Sequence, residues 1–292
     1  MQQSSNLSHI RVATRKSPLA LKQTEMAIGF LSDALPDAQF EQLPMSTSGD
    51  QRLAWSLEVK GGKGLFTKEL ELAMLEKRAD LAIHSAKDLP TDNPEGLVLP
   101  GFLPRANPVD VLVVREGVDQ PSKIATGSPR RRHQAQLIFE GVEFTEIRGS
   151  VETRLRKIAQ GETDAEATFL AAAGLARLGI ESFSGLEFRP MTLEQMVPAA
   201  GQAAIALQCR EENLELFSPF LCEKTGQAVN LERAVLAGLG GGCHTAVGVH
   251  ATETSLHIYH HEYGRTDLEL PVLGAGDIAD FVEATLKDLV GK

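Results

Sequence analysis

The run Leu239-Gly240-Gly241-Gly242-Cys243-His244 places one thiol behind three glycines. Glycine costs backbone entropy wherever it sits, so three in succession point to a close approach or an unusual backbone. Without side chains there, a bulky reactant can reach the sulfur while backbone N–H groups stay available. Such a thiol suits a nucleophile. A flexible turn that happens to end in cysteine is the plain alternative, and Cys243 alone does not decide between them.

A second candidate is the stretch His84-Ser85-Ala86-Lys87-Asp88-Leu89-Pro90. It leaves the end of an apolar strand pattern, Asp80 to His84, and in open α/β sheets the C-terminal strand ends are where ligands bind. A partly desolvated carboxylate at Asp88 can accept hydrogen bonds from substrate N–H groups and stabilise a developing cation. The alternative is a turn aspartate close to a proline.

Arginines form the third candidate. The net charge is −10, which disfavours a general nucleic-acid binder. Residues 105 to 177 nevertheless hold 11 Lys+Arg against 10 Asp+Glu, leaving about −11 on the rest. Nine of those cations are arginine, the residue suited to fork-like recognition of carboxylate or phosphate. Arg130, Arg131 and Arg132 follow Thr126-Gly127-Ser128 at a helix start, and Arg148-Gly149-Ser150 with Thr153-Arg154 repeats that arrangement. Helix N-termini favour anions, so two such cradles imply a small polyanion as ligand. A solvated helix face is the competing reading of the run.

The elements that must position these groups alternate between strand and helix patterns, which implies an α/β protein. Ile10 to Thr14 reads as a strand, and Ser17-Pro18 opens a helix carrying Leu21, Thr24 and Ile28. Gly64 to Ala79 reads as a helix with Phe66, Leu70, Ala73 and Met74 on one face. Asn107 to Arg115 and Ile124 to Thr126 read as strands, Val151 to Gln160 as a helix, and the apolar stretch Ala165 to Leu178 follows it. Apolar alternation returns near Val197 to Cys209, and Leu231 to Leu239 is helical. The expected domains are 1–104 with 196–218, then 105–195, then 219–292.

Other classes are set aside on composition. At 42% hydrophobic and 23% charged residues the chain is an ordinary globular protein. Its polar start lacks an apolar signal region, and Phe169 to Ala176 is too short to span a bilayer. Cys209, Cys222 and Cys243 show neither disulfide nor zinc spacing, so a reduced, cytoplasmic protein is expected. Gly61-Gly62-Lys63-Gly64 lacks the spacing of a phosphate loop, and Gly274-Ala275-Gly276-Asp277 has too little chain after it to complete a kinase. His257, His260 and His261 have no supporting carboxylate or cysteine spacing for a metal.

In order, RVATRKSPLAL (11–21), GGKGLFTKELE (61–71), HSAKDLP (84–90), TGSPRRR (126–132), RGSVETRL (148–155), AAGLARLG (172–179), PAAGQAA (198–204) and GGGC (240–243) resemble the porphobilinogen deaminase (hydroxymethylbilane synthase) family. The resemblance spans about residues 10 to 290, and its specificity lies in the combined order. It implies three α/β domains, the first two resembling type II periplasmic binding proteins with a cleft between them and the third a small α/β domain. It implies a transferase that deaminates porphobilinogen and adds four units to a dipyrromethane cofactor, releasing hydroxymethylbilane.

By that resemblance Cys243 anchors the cofactor through a thioether, and Asp88 is the catalytic carboxylate. Arg15, Ser17, Lys63, Ser85, Lys87, Thr126, Ser128, Arg130, Arg131, Arg148, Arg154 and Gln202 match cofactor-binding positions. Arg15, Phe66, Arg148, Arg154 and Arg177 match substrate positions, Phe66 being the aromatic that packs on a pyrrole. A monomer with no metal, nucleic-acid or membrane partner is the corresponding expectation. The chain departs from the family pattern at Ser48, Ala203 and Gly240, and carries extra residues near 126–137 and 165–168. A non-catalytic anion-binding protein, or a paralogue that keeps the fold without turnover, are the rival readings. Beside Asp88 and the arginines, the thiol reads as an anchor that reacts once.

Overall fold

The structure, a computed structural model, describes residues 8–51, 66–242, 245–271 and 277–290. Lys63, Cys243, His244 and the stretch Gly274-Ala275-Gly276 lie outside the described residues. Two compact units divide the described residues, the first formed by residues within 1–53, 62–106 and 204–226, the second by residues within 107–203 and 227–292.

In the first unit, β1 (His9–Arg15) leads through Ser17 into α1 (Pro18–Ala34), then β2 (Gln39–Met45), α2 (Lys68–Leu75), β3 (Leu81–Ser85) and β4 (Leu97–Phe102). β1 pairs in parallel with both β2 and β3, while β10 (Ile205–Arg210) returns antiparallel between β3 and β4. Helices cover both faces of such a sheet, so its strands are apolar on both sides. Ile10, Val12, Leu81 and Ile83 pack with Leu31 of α1, whereas Ala13 and Ala82 turn to Leu70, Ala73 and Met74 of α2. Helix α2 ends earlier than the expected Ala79. Lys77 takes a left-handed φ of 57°, and the Arg78 and Ala79 N–H groups both turn back onto Ala73 O.

The second unit begins with β5 (Asp110–Arg115) and β6 (Lys123–Ala125), then α3 (Pro129–Gln136), β7 (Glu143–Thr145), α4 (Val151–Ala159), β8 (Ala167–Ala171), α5 (Ala172–Arg177) and β9 (Leu186–Pro190). Its order, β7-β6-β8-β5-β9, repeats the plan of the first sheet: three parallel strands, then an antiparallel strand, then an edge. The apolar stretch after α4 thus splits into a strand and a short helix. A continuous apolar run does not reveal that change by periodicity.

The same unit holds α6 (Glu223–Gly238), an antiparallel sheet of β11 (Val247–Ala251), β12 (Ser255–His260) and β13 (Gly264–Glu269), and α7 (Asp277–Val290). Leu231, Val235, Val249, Leu256, Ile258, Val282 and Leu289 form its core. Strand β11 runs close to residues 197–198, where Val249 N–H donates to Pro198 O at 2.9 Å. Gly248 permits this approach, because a Cβ there would stand 2.6 Å from Val197 O. Among the described residues no helix is long and apolar enough to cross a membrane.

Asp110 is fully buried at the start of β5 and accepts from two arginines of α3, Arg130 Nη1 at 2.8 Å and Arg131 Nη2 at 2.7 Å. Truncating one member of a buried ion pair leaves uncompensated charge. Asp110→Ala is therefore expected to lower the unfolding free energy by about 3 kcal/mol or more in denaturant titration. A loss below about 1 kcal/mol would mean that these guanidinium groups find other partners.

Candidate active site

Within the first unit, β3 ends at Ser85 and continues into a single tight turn, Ala86–Asp88. Ala86 N–H donates to Ala204 O and Leu89 N–H to Ala86 O, with Leu89 buried, so both ends of the turn are fixed. Asp88 is left partly exposed, its Oδ2 3.8 Å from Nη1 of Arg15. Arg15 ends the neighbouring strand β1, and its guanidinium carbon lies 4.2 Å from the Phe66 ring centroid. The structure thus gathers Asp88, Arg15 and Phe66, drawn from three sequence motifs, at the C-terminal ends of adjacent parallel strands.

Helix α1 is stitched to this end of the sheet by small polar groups. Ser17 caps it by accepting from Ala20 N–H, with Pro18 in the first turn where its missing donor costs nothing. Thr24 Oγ1 lies 2.7 Å from Thr14 Oγ1, and Ser85 Oγ donates to Gln23 Oε1 at 3.0 Å. Ser17 and Ser85 are therefore engaged in holding elements together, and Lys87 lies half-buried on the turn. Gln23 is a contributor that the sequence reading missed, because a polar residue on a helix face carries no signal of its distant partner.

In the second unit two helices start beside one another. Strands β6 and β7 are parallel neighbours, so the loops leaving them emerge at one end of the sheet. Ser128 caps α3 by accepting from Arg131 N–H, and Ser150 caps α4 by accepting from Thr153 N–H. Thr126 is buried, its Oγ1 accepting from Ser128 N–H at 3.2 Å. Arg154 Nε donates to Gly149 O, and Gly149 takes a φ of 121° with Thr153 packed where a Cβ would point.

The arginines separate into three kinds. Arg130 and Arg131, which the sequence reading assigns to the ligand cradle, are 4% and 8% exposed and face inward. Besides Asp110 they donate to Val197 O and Phe169 O. Arg132 and Arg148, both half-buried, flank Glu146, whose carboxylate lies 3.4 Å from the first and 3.7 Å from the second, and Arg132 Nη2 also donates to Thr126 O. Arg132 belongs to the run read from sequence as an anion cradle, whereas Glu146 was not singled out there. Arg177 forms the third kind. Its Nη2 donates to Ala203 O at 2.5 Å, but among the described residues its buried Nε has no hydrogen-bond partner. Burial pushes its pKa down to about 10. A buried guanidinium with an unsatisfied donor is a natural seat for an anion.

Gln202, fully buried, donates from Nε2 to Pro108 O at 2.7 Å. Next to it, Ala203, where the resemblance led us to expect glycine, adopts a left-handed φ of 70°. That conformation costs alanine about 1 kcal/mol. Gly201 N–H donates at 2.7 Å to the buried carboxylate of Glu232 on α6, which also accepts from Ala251 N–H. These bonds hold the turn in which Ala203 is strained.

The histidines of β12 form no metal-binding group among the described residues. His257 contacts Asp267, and His260 stacks on Tyr263 with ring centroids 4.5 Å apart. Cys209 is buried in the first sheet, its thiol pushed up to about 12 by burial, which disfavours its thiolate.

Residues 10–218 match the family model described as "Porphobilinogen deaminase, dipyromethane cofactor binding domain". The chain belongs to the porphobilinogen deaminase family. It is 42% identical over 257 residues to the porphobilinogen deaminase of Synechococcus elongatus, covering 82% of this chain and 77% of that one. To the enzyme of that name from Alkaliphilus metalliredigens it is 37% identical over 286 residues, covering 93% and 88%. Among solved structures it is similar to the periplasmic VFT2 domain of Bordetella pertussis BvgS, with a TM-score of 0.45, 16% identity and coverage of 78% and 91%.

One neighbour of the Ala86–Asp88 turn carries a pH signature. His84 is buried on β3 with Nε2 3.1 Å from Gln208 Oε1, and burial lowers its pKa from 6.5 to about 4. The unfolded chain then takes up this proton before the native protein does, so stability is flat above pH 6.5 and falls as pH drops towards 4. The contribution is about 2 kcal/mol lost between pH 7 and pH 5. Denaturant unfolding of His84→Gln at the two pH values should show a drop smaller by that amount than the parent protein. An equal drop would show that His84 titrates normally.

Proposed function

We propose that the chain is a hydroxymethylbilane synthase: a transferase that removes ammonia from four porphobilinogen molecules in turn, joins them head to tail and releases the linear tetrapyrrole. Family membership supports the reaction class. The observation that carries the mechanism is the placement of Asp88 at a strand end beside Arg15, with Phe66 against that arginine.

Each pyrrole of the substrate and product carries an acetate and a propionate, so the site must supply cations that are not consumed internally. The donor set fits such a polycarboxylate, and the buried Nε of Arg177, which has no partner among the described residues, is the clearest instance. A dipyrromethane group, held as a thioether on Cys243, would supply the primer on which the chain is built. Arg15, Ser17, Lys63, Ser85, Lys87, Thr126, Ser128, Arg148, Arg154 and Gln202 are the residues assigned to its binding, while Arg130 and Arg131 act from α3, where Asp110 holds them. Arg15, Phe66, Arg148, Arg154 and Arg177 serve the incoming substrate.

When ammonia departs from porphobilinogen, the positive charge left on the aminomethyl carbon is shared with the ring nitrogen. A carboxylate accepting that N–H stabilises the charge as it develops, and a fixed carboxylate does so without reorganisation. Asp88 takes this role, and Arg15 orients it. The Phe66 ring offers a flat apolar surface for a pyrrole. The protein acts as a cytoplasmic monomer in this reading, with no metal, nucleic-acid or membrane partner.

Steady-state consumption of porphobilinogen with stoichiometric ammonia release tests the assignment. The parent protein should turn over, and Asp88→Asn should lose about a hundredfold or more in kcat while still carrying the cofactor, because the isostere removes the stabilising charge. Near-normal kcat in that variant would show that another carboxylate does the work.

A further inference from the structure

Glu146 lies in the loop between β7 and α4, two residues before Arg148. Its Oε1 is 3.4 Å from Arg132 Nη2, and its Oε2 is 3.7 Å from Arg148 Nε. The two arginines come from different segments, one from α3 and one from the loop that follows β7. The room in which the three groups meet depends on Gly127. A Cβ at that position would stand 2.7 Å from Glu146 Oε2 and 3.6 Å from the Arg148 guanidinium carbon. A carboxylate of the protein therefore occupies the place between two cations at the mouth of two capped helix starts.

Contrast with Asp110 shows what kind of contact this is. Asp110 is sealed from water and bonds its arginines at 2.7 and 2.8 Å. The Glu146 side chain is 40% exposed and its contacts are longer. An exposed, stretched ion pair is held weakly and exchanges readily for another anion. Ligand carboxylates are the anions that the proposed reaction brings to this end of the sheet.

We propose that Glu146 is a specificity-determining residue, an internal competitor whose carboxylate occupies the anion position between Arg132 and Arg148 until a carboxylate of the substrate or of the growing chain displaces it. Glu146 thereby lowers the affinity for every carboxylate ligand and favours those that bring several carboxylates at once. The inference rests on the proposed role of Arg148 in carboxylate binding.

The test compares holoenzyme with Glu146→Gln, an isostere that keeps the shape and removes the charge. Glu140→Gln, an exposed carboxylate elsewhere on the same unit, controls for the change in net charge. Two quantities are read: KM and kcat for porphobilinogen, and the dissociation constant of citrate by calorimetry, which needs no turnover. Glu146→Gln is expected to lower KM and the citrate constant by about threefold or more with kcat within about twofold, while Glu140→Gln changes neither. Unchanged or weaker binding of both ligands in Glu146→Gln overturns the proposal, as does an equal gain in the control. If the parent protein does not consume porphobilinogen, the functional reading fails by itself, and the citrate titration still decides the role of Glu146.

Discussion

A guanidinium withdrawn from water has to be matched by an anion or by well-placed carbonyls, and the rest of this protein's site depends on how each arginine is matched. Arg130 and Arg131 are matched in full by Asp110 and two carbonyls, so they serve the fold. Arg132 and Arg148 share one half-exposed carboxylate and hold it loosely. Arg177 has a carbonyl for Nη2, and among the described residues its buried Nε has no hydrogen-bond partner, as is also true of Arg132 Nε. The arginines thus run from fully paired to partly paired.

Each unit uses the same device to aim its polar groups. Parallel strands deliver their C-terminal ends to one side, and a serine then caps the helix that follows, as at Ser17, Ser128 and Ser150. The caps satisfy the first free N–H groups of each helix and fix the direction of the loop between strand and helix. Asp88 uses a tighter version, a single turn anchored at both ends by backbone bonds. Rigid scaffolding around a carboxylate is what electrostatic stabilisation of a transient cation requires.

Much of this was legible in the sequence because it is local. The strand at Ile10, the Ser-Pro helix start at Ser17 and the turn after His84 are set by residues within a few positions of each other. The extent of α2 was not, since its end depends on Lys77 accepting a left-handed conformation that its side chain does not advertise. The orientation of the arginine run was also hidden. Which of three successive arginines turns inward depends on Asp110, twenty positions earlier in sequence and brought close only by the sheet. The departure at Ala203 was visible as a missing glycine, and the structure gives it a physical meaning: a strained φ held by the bonds around Gly201, Gln202 and Ala203.

The central claim is that the thiol of Cys243 holds a pyrrole primer and that the arginines and Asp88 act on what is attached to it. The intact mass of the purified protein tests this most directly. The account expects a mass above that of the sequence by two condensed pyrrole units, absent in Cys243→Ser. A protein that stays at the bare sequence mass after incubation with porphobilinogen would contradict it.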